Sequence, residues 1–486
     1  MNFGKSLFDR GGRDKNSGQH DQQPRQLSEL DKLNQQFAQL YQQGQYEQAI
    51  PIAARVRDLA REQLGQDHPD FPQYLNNLAV MYQRVGDYSQ AESLYQQAVG
   101  LVRKNLGEEH PDLAGTLSNL GGLYQGMGNY HRAEQLYRQA MEISRKALGE
   151  DDPTFATSLN NLGTLYYAIH SYAAAEPLYQ QAAKIVRENL GEWHPNFAIS
   201  LNNLALLYSD MGDYRRAEPL YKRALEIDRQ VLGENHVEVA LKLNNLALLY
   251  YKTDNYTAAE PLYRQAAEIV LENLGELHPN SAMILDNLAQ LYHARGDYRH
   301  AEPLYERAVR TRRAILGEEH PDYATSLSNL ALLYVATHRE AEAMNLLQRV
   351  ASIQDEMLAQ VFAIGSETQR MEYLNNVLGD LGNLLSLVVG YLSHSSAAVQ
   401  TALDLVLRRK GIATEALAAQ QDALLEGRYP ALTAEMRELN TLRAQIARKT
   451  LDGPGPEGSA AHQQIVAEWN DRKEQLEAEL ASRIPE

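Results

Sequence analysis

The 486-residue sequence contains no cysteine. Disulfides, thiolate metal sites and cysteine nucleophiles are thereby excluded, and the chain fits a reducing, cytoplasmic setting. Basic side chains are also in deficit: 46 Lys and Arg face 63 Asp and Glu, for a formal net charge of −17. Nucleic-acid binding rests on neutralising phosphates, so this balance argues against a nucleic-acid partner. It argues equally against an anionic membrane surface. Long apolar runs are missing too. The longest, Leu384 to Leu392, is interrupted by Ser386 and Gly390 and is far short of the ~20 residues that span a bilayer. Residues 1–26 have no apolar centre of the kind a signal peptide carries; polar and Gly-rich, they read as a disordered leader. No phosphate loop, zinc-ligand spacing or nucleophile motif occurs. Together these absences point to a chain that is not an enzyme, takes no cofactor or metal, and works by holding another protein, the alternative being a structural array that self-associates without a peptide ligand.

What is present is a repeat. A Leu-Gly pair recurs with its glycine at 65, 107, 149, 191, 233, 275 and 317, a spacing of 42 without slippage. Within one copy Leu201, Leu204, Ala205 and Tyr208 fall at i, i+3, i+4 and i+7, one face of a helix. Gly212-Asp213-Tyr214 then breaks the pattern, Gly permitting a turn and Asp capping the next helix. A second periodic run, Ala217, Leu220, Tyr221, Ala224 and Ile227, closes at Leu232-Gly233, where Gly suits the left-handed residue after a helix end. Small alanines let the helices approach while Leu and Tyr fill the gaps. One such pair cannot bury its apolar face, so neighbours must stack into a solenoid. The expected fold is all-α: a right-handed α-solenoid of about eight helix-turn-helix repeats over 27–365, then a helical region over 366–486. The first copy is irregular, with Gln35 in place of the usual Asn, and the last carries Arg339-Glu340 instead of Asp-Tyr, as terminal caps do.

Leu204, Ala205, Tyr208, Ala217, Tyr221 and Ala224 stand where the tetratricopeptide motif places its signature residues. The 42-residue period, the Leu-Asn-Asn-Leu-Ala opening at 201–205 and the Ala-Glu-Pro-Leu-Tyr run at 217–221 resemble the kinesin light chain type of tetratricopeptide repeat. Kinesin light chains carry a long heptad segment before the array. Residues 1–26 show none, which weighs against a motor-subunit role.

The resemblance directs attention to an asparagine column: Asn77, Asn119, Asn161, Asn203, Asn245, Asn287 and Asn329. In tetratricopeptide folds this position lines the concave groove, and in light-chain-like repeats such asparagines hold the backbone of a bound peptide. An amide offers donors and an acceptor, so a row of them can grip an extended chain without reading its sequence. The competing role is bonding between neighbouring helices. Specificity would come from Tyr167, Leu206, Leu248, Tyr251, Gln290 and His293 nearby, the two leucines and two tyrosines forming an apolar stretch that anchors side chains or packs beneath the groove. Only Arg84 and Lys252 lie near the ladder, too few for a clamp on a terminal carboxylate. Other columns have structural readings. His68, His110, His194, His236, His278 and His320 are expected to cap helices, since successive repeats lie too far apart to share a metal. Glu92, Glu134, Glu176, Glu218, Glu260 and Glu302 favour the starts of the second helices by a few tenths of a kcal/mol. Tyr82, Tyr124, Tyr166, Tyr208, Tyr250, Tyr292 and Tyr334 are read as core.

Beyond about residue 366 the period ends but helices continue. Met371, Leu374, Leu378, Leu381 and Leu385 form a stripe, and helices are expected over 397–425, 431–449 and 461–481, the last two as an antiparallel pair about Gly453-Pro454-Gly455-Pro456-Glu457-Gly458. Val406-Leu407-Arg408-Arg409-Lys410-Gly411, Tyr429-Pro430, that loop and Arg483-Ile484-Pro485 resemble the helical connector of bacterial proteins that join such repeats to a CHAT domain, a caspase-like cysteine protease. The resemblance implies a caspase-like protease, in cis or in trans, as partner, while this chain has neither the cysteine nor the Gly-rich strands to supply one.

Overall fold

The computed structural model describes residues 29–364 without a break, Thr433–Asp452, and parts of 381–411 and 461–476. Among the described residues every regular element is a helix. The chain divides into two compact units, Met1–Leu346 and Leu347–Glu486, the division falling inside one helix.

In the first unit each repeat is two antiparallel helices. The first helices are α1 (Glu29–Gln42), α3 (Phe71–Arg84), α5 (Pro111–Gly126), α7 (Pro153–Ala168), α9 (Pro195–Asp210), α11 (Val237–Lys252), α13 (Pro279–Ala294) and α15 (Pro321–Ala336). The second helices are α2 (Tyr46–Leu64), α4 (Tyr88–Leu106), α6 (Tyr130–Leu148), α8 (Tyr172–Leu190), α10 (Tyr214–Leu232), α12 (Tyr256–Leu274) and α14 (Tyr298–Leu316); α16 (Glu340–Ile364) follows α15 and contains the division between the units.

Their ends follow from local chemistry. All six linker histidines make one bond: Nδ1 accepts the backbone N–H two residues on, at 3.0–3.2 Å. Five of them are the N-caps of α5, α9, α11, α13 and α15. The ring nitrogen does the work usually given to an Asn or Asp oxygen, and only a neutral imidazole can do it. Asp152 takes the place in α7, accepting from the Thr154 N–H at 2.7 Å. Second helices are capped by Asp87, Asn129, Asp213, Asn255 and Asp297. The Leu-Gly glycines correct the expectation of a left-handed helical residue. Their φ of 77° to 94° comes with ψ from 156° round to −179°. That region is open essentially to glycine alone, so the linker is stricter than an αL cap, which asparagine could share. The turn between paired helices does use αL: glycine in five repeats, but His170, Asp254 and His338 at φ 57–58° in three.

Packing between helices depends on size. Ala205, Ala217 and Ala224 are fully buried, and Tyr95, Tyr221, Tyr263 and Tyr305 of the second helices are among the largest wholly buried side chains. Each such ring removes roughly 150–250 Å² from water. In two repeats the facing alanine is replaced by Gly121 or Gly163, and the rings of Tyr137 and Tyr179 move into that space, 2.9 and 2.8 Å from where a Cβ would be. First helices of consecutive repeats touch directly from α3 through α15, which second helices do not do to the same extent. The first helices therefore lie on the shorter, inner side of the stack.

In the second unit Leu381, Leu384, Leu387 and Val388 are buried, as are Ala398, Ala402 and Leu405 of a helical stretch over 398–409. Arg409, almost fully buried, donates to Gln354 Oε1 at 2.7 Å and lies 3.6 Å from Asp355. In α17 (Thr433–Asp452) Glu438 accepts from Arg472 at 2.8 Å, and 461–476 is helical where described. Met371, Leu374 and Leu378, the Tyr429-Pro430 and Gly453–Gly458 breaks, Arg483–Pro485 and the leader over 1–26 lie outside the described residues.

Candidate functional site

The inner surface brings the asparagine column into one line along the first helices. All seven are half-buried, and they divide into two groups. Asn245 Nδ2 donates to Asn202 Oδ1 at 2.8 Å, Asn287 Nδ2 to Asn244 Oδ1 at 2.8 Å, and Asn329 Nδ2 to Asp286 Oδ2 at 3.2 Å. Asn244 in turn donates to Asn245 Oδ1 at 3.4 Å, so an amide relay runs from α13 through α11 to α9. Here the asparagines join neighbouring repeats. Asn77 accepts from Gln73 within its own helix. The side chains of Asn119, Asn161 and Asn203 make no hydrogen bond among the described residues. The oxygen that would receive Asn203 by the same 43-residue offset, Asn160 Oδ1, is buried without a partner, and so is Asn76 Oδ1 opposite Asn119. The ladder is closed in repeats 6–8 and open in repeats 3–5.

The neighbouring column is thus part of the site, although no sequence expectation pointed to it. The signal was the doubled Asn-Asn: Asn76, Asn160, Asn202 and Asn244 precede the predicted ladder by one residue. Asp286 replaces the asparagine in α13, where burial raises its carboxyl pKa against the pull of Arg312 at 2.9 Å.

The specificity positions are half-buried along the same helices. Tyr167, Leu206, Leu248 and Tyr251 rest on the core with part of each side chain still reachable. Tyr167 donates its hydroxyl to Asp210, and Lys252 Nζ meets the other oxygen of Asp210 at 2.5 Å. Three consecutive repeats are thereby tied across their first helices, and burial together with the Asp210 carboxylate pushes the Tyr167 pKa up. Lys252 is engaged and not available as a free anion clamp. Arg84 lies over the Tyr46 ring at 5.9 Å. Tyr251 stacks obliquely on Tyr256 at 5.7 Å. His293 sits edge-on between Tyr298 and Tyr305 at 5.6 and 6.3 Å, and burial lowers its pKa. Gln290 is half-buried one turn away.

The glutamate column does more than favour helix starts. Tyr124, Tyr166, Tyr208, Tyr250 and Tyr292 donate their hydroxyls to Glu92, Glu134, Glu176, Glu218 and Glu260 of the preceding repeat at 2.6–3.1 Å, always 32 residues apart. The constant offset in the sequence is the signal that identifies the pairing. A shallow cavity of about 640 Å³ between α10, α11 and α12, lined by Lys222, Arg229, Glu234, Tyr250 and Leu262, contains none of the predicted site residues.

The family model for the tetratricopeptide repeat matches at residues 32–104, 70–146, 112–188, 154–230, 196–270, 238–314 and 301–356. The chain belongs to the tetratricopeptide repeat family. This tetratricopeptide repeat protein is similar to BtubC (BKLC) from P. vanneervenii at 30% identity, covering 48% of this chain and 91% of that one, with a TM-score of 0.38. It is similar to a putative kinesin light chain with nearly identical TPR-like repeats from Podosopora anserina at 27% identity, covering 42% and 97%, with a TM-score of 0.36. A Rap protein complexed with competence and sporulation factor matches at 15% identity, covering 74% and 99%, with a TM-score of 0.45. The repeats are kinesin light chain-like. No curated protein matches the chain.

Proposed function

We propose that this protein is an interaction scaffold that holds an extended segment of a partner protein along the inner surface formed by the first helices. The observation that carries the reading is the open stretch of the ladder. Asn119, Asn161 and Asn203 have side chains free of hydrogen bonds among the described residues, with buried acceptor oxygens of Asn76 and Asn160 beside the column. Amides so placed can pair with the backbone of an extended segment, and such bonds are worth about 1 kcal/mol each. Leu206, Leu248, Tyr167 and Tyr251 supply the apolar contacts that fix its register. The second unit, by its resemblance to a CHAT-associated connector, couples this event to a caspase-like protease; Arg409 of that resemblance is the buried residue held by Gln354 and Asp355.

The test is capture of partners from native lysate by the wild-type chain and by an Asn119→Ala/Asn161→Ala/Asn203→Ala variant, read by mass spectrometry. Loss of a partner with unchanged helical circular dichroism is the expected result. Equal capture by both chains would refute the assignment. Asn245→Ala is the informative comparison, because its amide holds a neighbouring repeat and its loss should lower stability.

A further inference from the structure

One contact joins parts of the array that are far apart in sequence. The turn of repeat 1 lies against the linker entering α13: a Cβ on Gly44 would be 2.7 Å from Pro279 Cδ and 3.2 Å from His278 Cδ2. The equivalent glycines 86, 128, 212 and 296 have nothing within 4 Å. Residue 88 lies as far from 322 as 44 does from 278, an offset of 234 residues in both pairs. At the second pair, burial and then the charge of the Asp322 carboxylate raise the Tyr88 pKa.

The α13 linker differs from its counterparts. His278 is buried, whereas the other five linker histidines are half-buried or exposed. Its φ is −137°, against −75° to −83° for the four other histidine caps. Its N–H bonds to Glu276 O at 2.9 Å, where His194 and His236 reach back to Gly191 and Gly233 at 3.3 Å. Thr311 Oγ1 and Arg307 hold Glu276 from α14, at 3.1 and 3.0 Å.

We infer that the turn at Gly44 is a latch: it docks on the His278-Pro279 linker and closes the first repeat against the seventh. A wide folded partner cannot reach the inner surface while the latch is shut. An extended segment enters by threading an end or by releasing repeat 1. This consequence rests on the proposed use of the inner surface, whereas the closure does not.

Because the chain has no cysteine, closure can be read directly. Gln43 and Leu277 are exposed and each flanks the contact by one residue. With Cα steps of 3.8 Å they lie within reach of a bismaleimide of about 10 Å span. The full chain carrying Gln43→Cys and Leu277→Cys should form an intramolecular cross-link in dilute solution. Adding Gly44→Asn, which tolerates the positive φ but inserts atoms against Pro279, should lower its yield several-fold and raise the radius of gyration by X-ray scattering. Gly212→Asn makes the same backbone change in open space and should alter neither. Absence of the cross-link in the double-cysteine chain overturns the latch. So does a yield equal in the Gly44→Asn and Gly212→Asn backgrounds. Partner capture plays no part in this readout, so the groove assignment and the latch fail separately.

Discussion

Buried His278 should make stability fall steeply below neutral pH. Its Nδ1 caps α13 by accepting the Asn280 N–H at 3.0 Å, which requires an uncharged ring. Burial alone pushes its pKa down from 6.5 to about 4. In the unfolded chain the ring takes up a proton below about pH 6.5; in the folded chain it does so only near pH 4. Between these values the unfolded state binds more protons, so stability falls as pH falls. The contribution is fully present above about 6.5, is lost progressively through the interval, and changes no further below about 4. The gap corresponds to ~3 kcal/mol. Asparagine is a good cap and does not titrate. Urea denaturation at pH 7.5, 6, 5 and 4 of the wild-type chain and His278→Asn should show the wild type losing ~3 kcal/mol more over the range. The difference between the two chains is the quantity to compare, since repeat arrays need not unfold in one step. Parallel pH profiles would refute the reasoning and remove the buried neutral cap.

Two further outcomes test the packing. Lys242 and Asp228 are nearly inaccessible and 3.3 Å apart, with Glu238 also 3.3 Å from Lys242. Lys242→Met should cost about 3–5 kcal/mol because it leaves a buried carboxylate uncompensated, while Lys242→Met/Asp228→Leu should recover most of that; equal losses in a chemical denaturation series would refute the assignment. His170 occupies a left-handed turn position that glycine fills in five other repeats. His170→Gly should raise stability by up to about 1 kcal/mol, seen as a higher melting temperature, and a lowered one would mean that the 5.8 Å ring contact with Tyr172 outweighs the strain.

The repeat was legible because it is local. Leu204, Ala205 and Tyr208 on one helix and Ala217 and Tyr221 on the next state two apolar helix faces within 20 residues, and 42-residue recurrence leaves stacking as the way to bury them. The histidine caps were legible for the same reason, since each bonds two residues on. What the sequence concealed was interaction across repeats. Glu92 and Tyr124 are 32 residues apart and each has an adequate account alone, helix dipole for one and core for the other. Only the stacked geometry shows that the hydroxyl reaches the carboxylate. Asn203 and Asn245 look identical in their Leu-Asn-Asn-Leu-Ala contexts, yet one amide is free and the other is bonded to Asn202. That difference lies in contacts between neighbouring repeats, and no period encodes it.

The unbroken period also has a structural consequence at long range. Each repeat adds one rotation to the stack, and linkers of equal length keep that rotation similar from one repeat to the next. The contact of Gly44 with His278 and Pro279, 234 and 235 residues on, requires this regularity. One extra residue in any linker between them would displace the later turn by a whole Cα step of about 3.8 Å. The Gly-only conformation after every second helix, with ψ near 180°, is the device that keeps the step uniform: a residue with a Cβ would have to leave that region and change the angle between repeats. The strictness of the Leu-Gly spacing thus bears on more than the local turn, because it determines whether the first repeat meets the seventh.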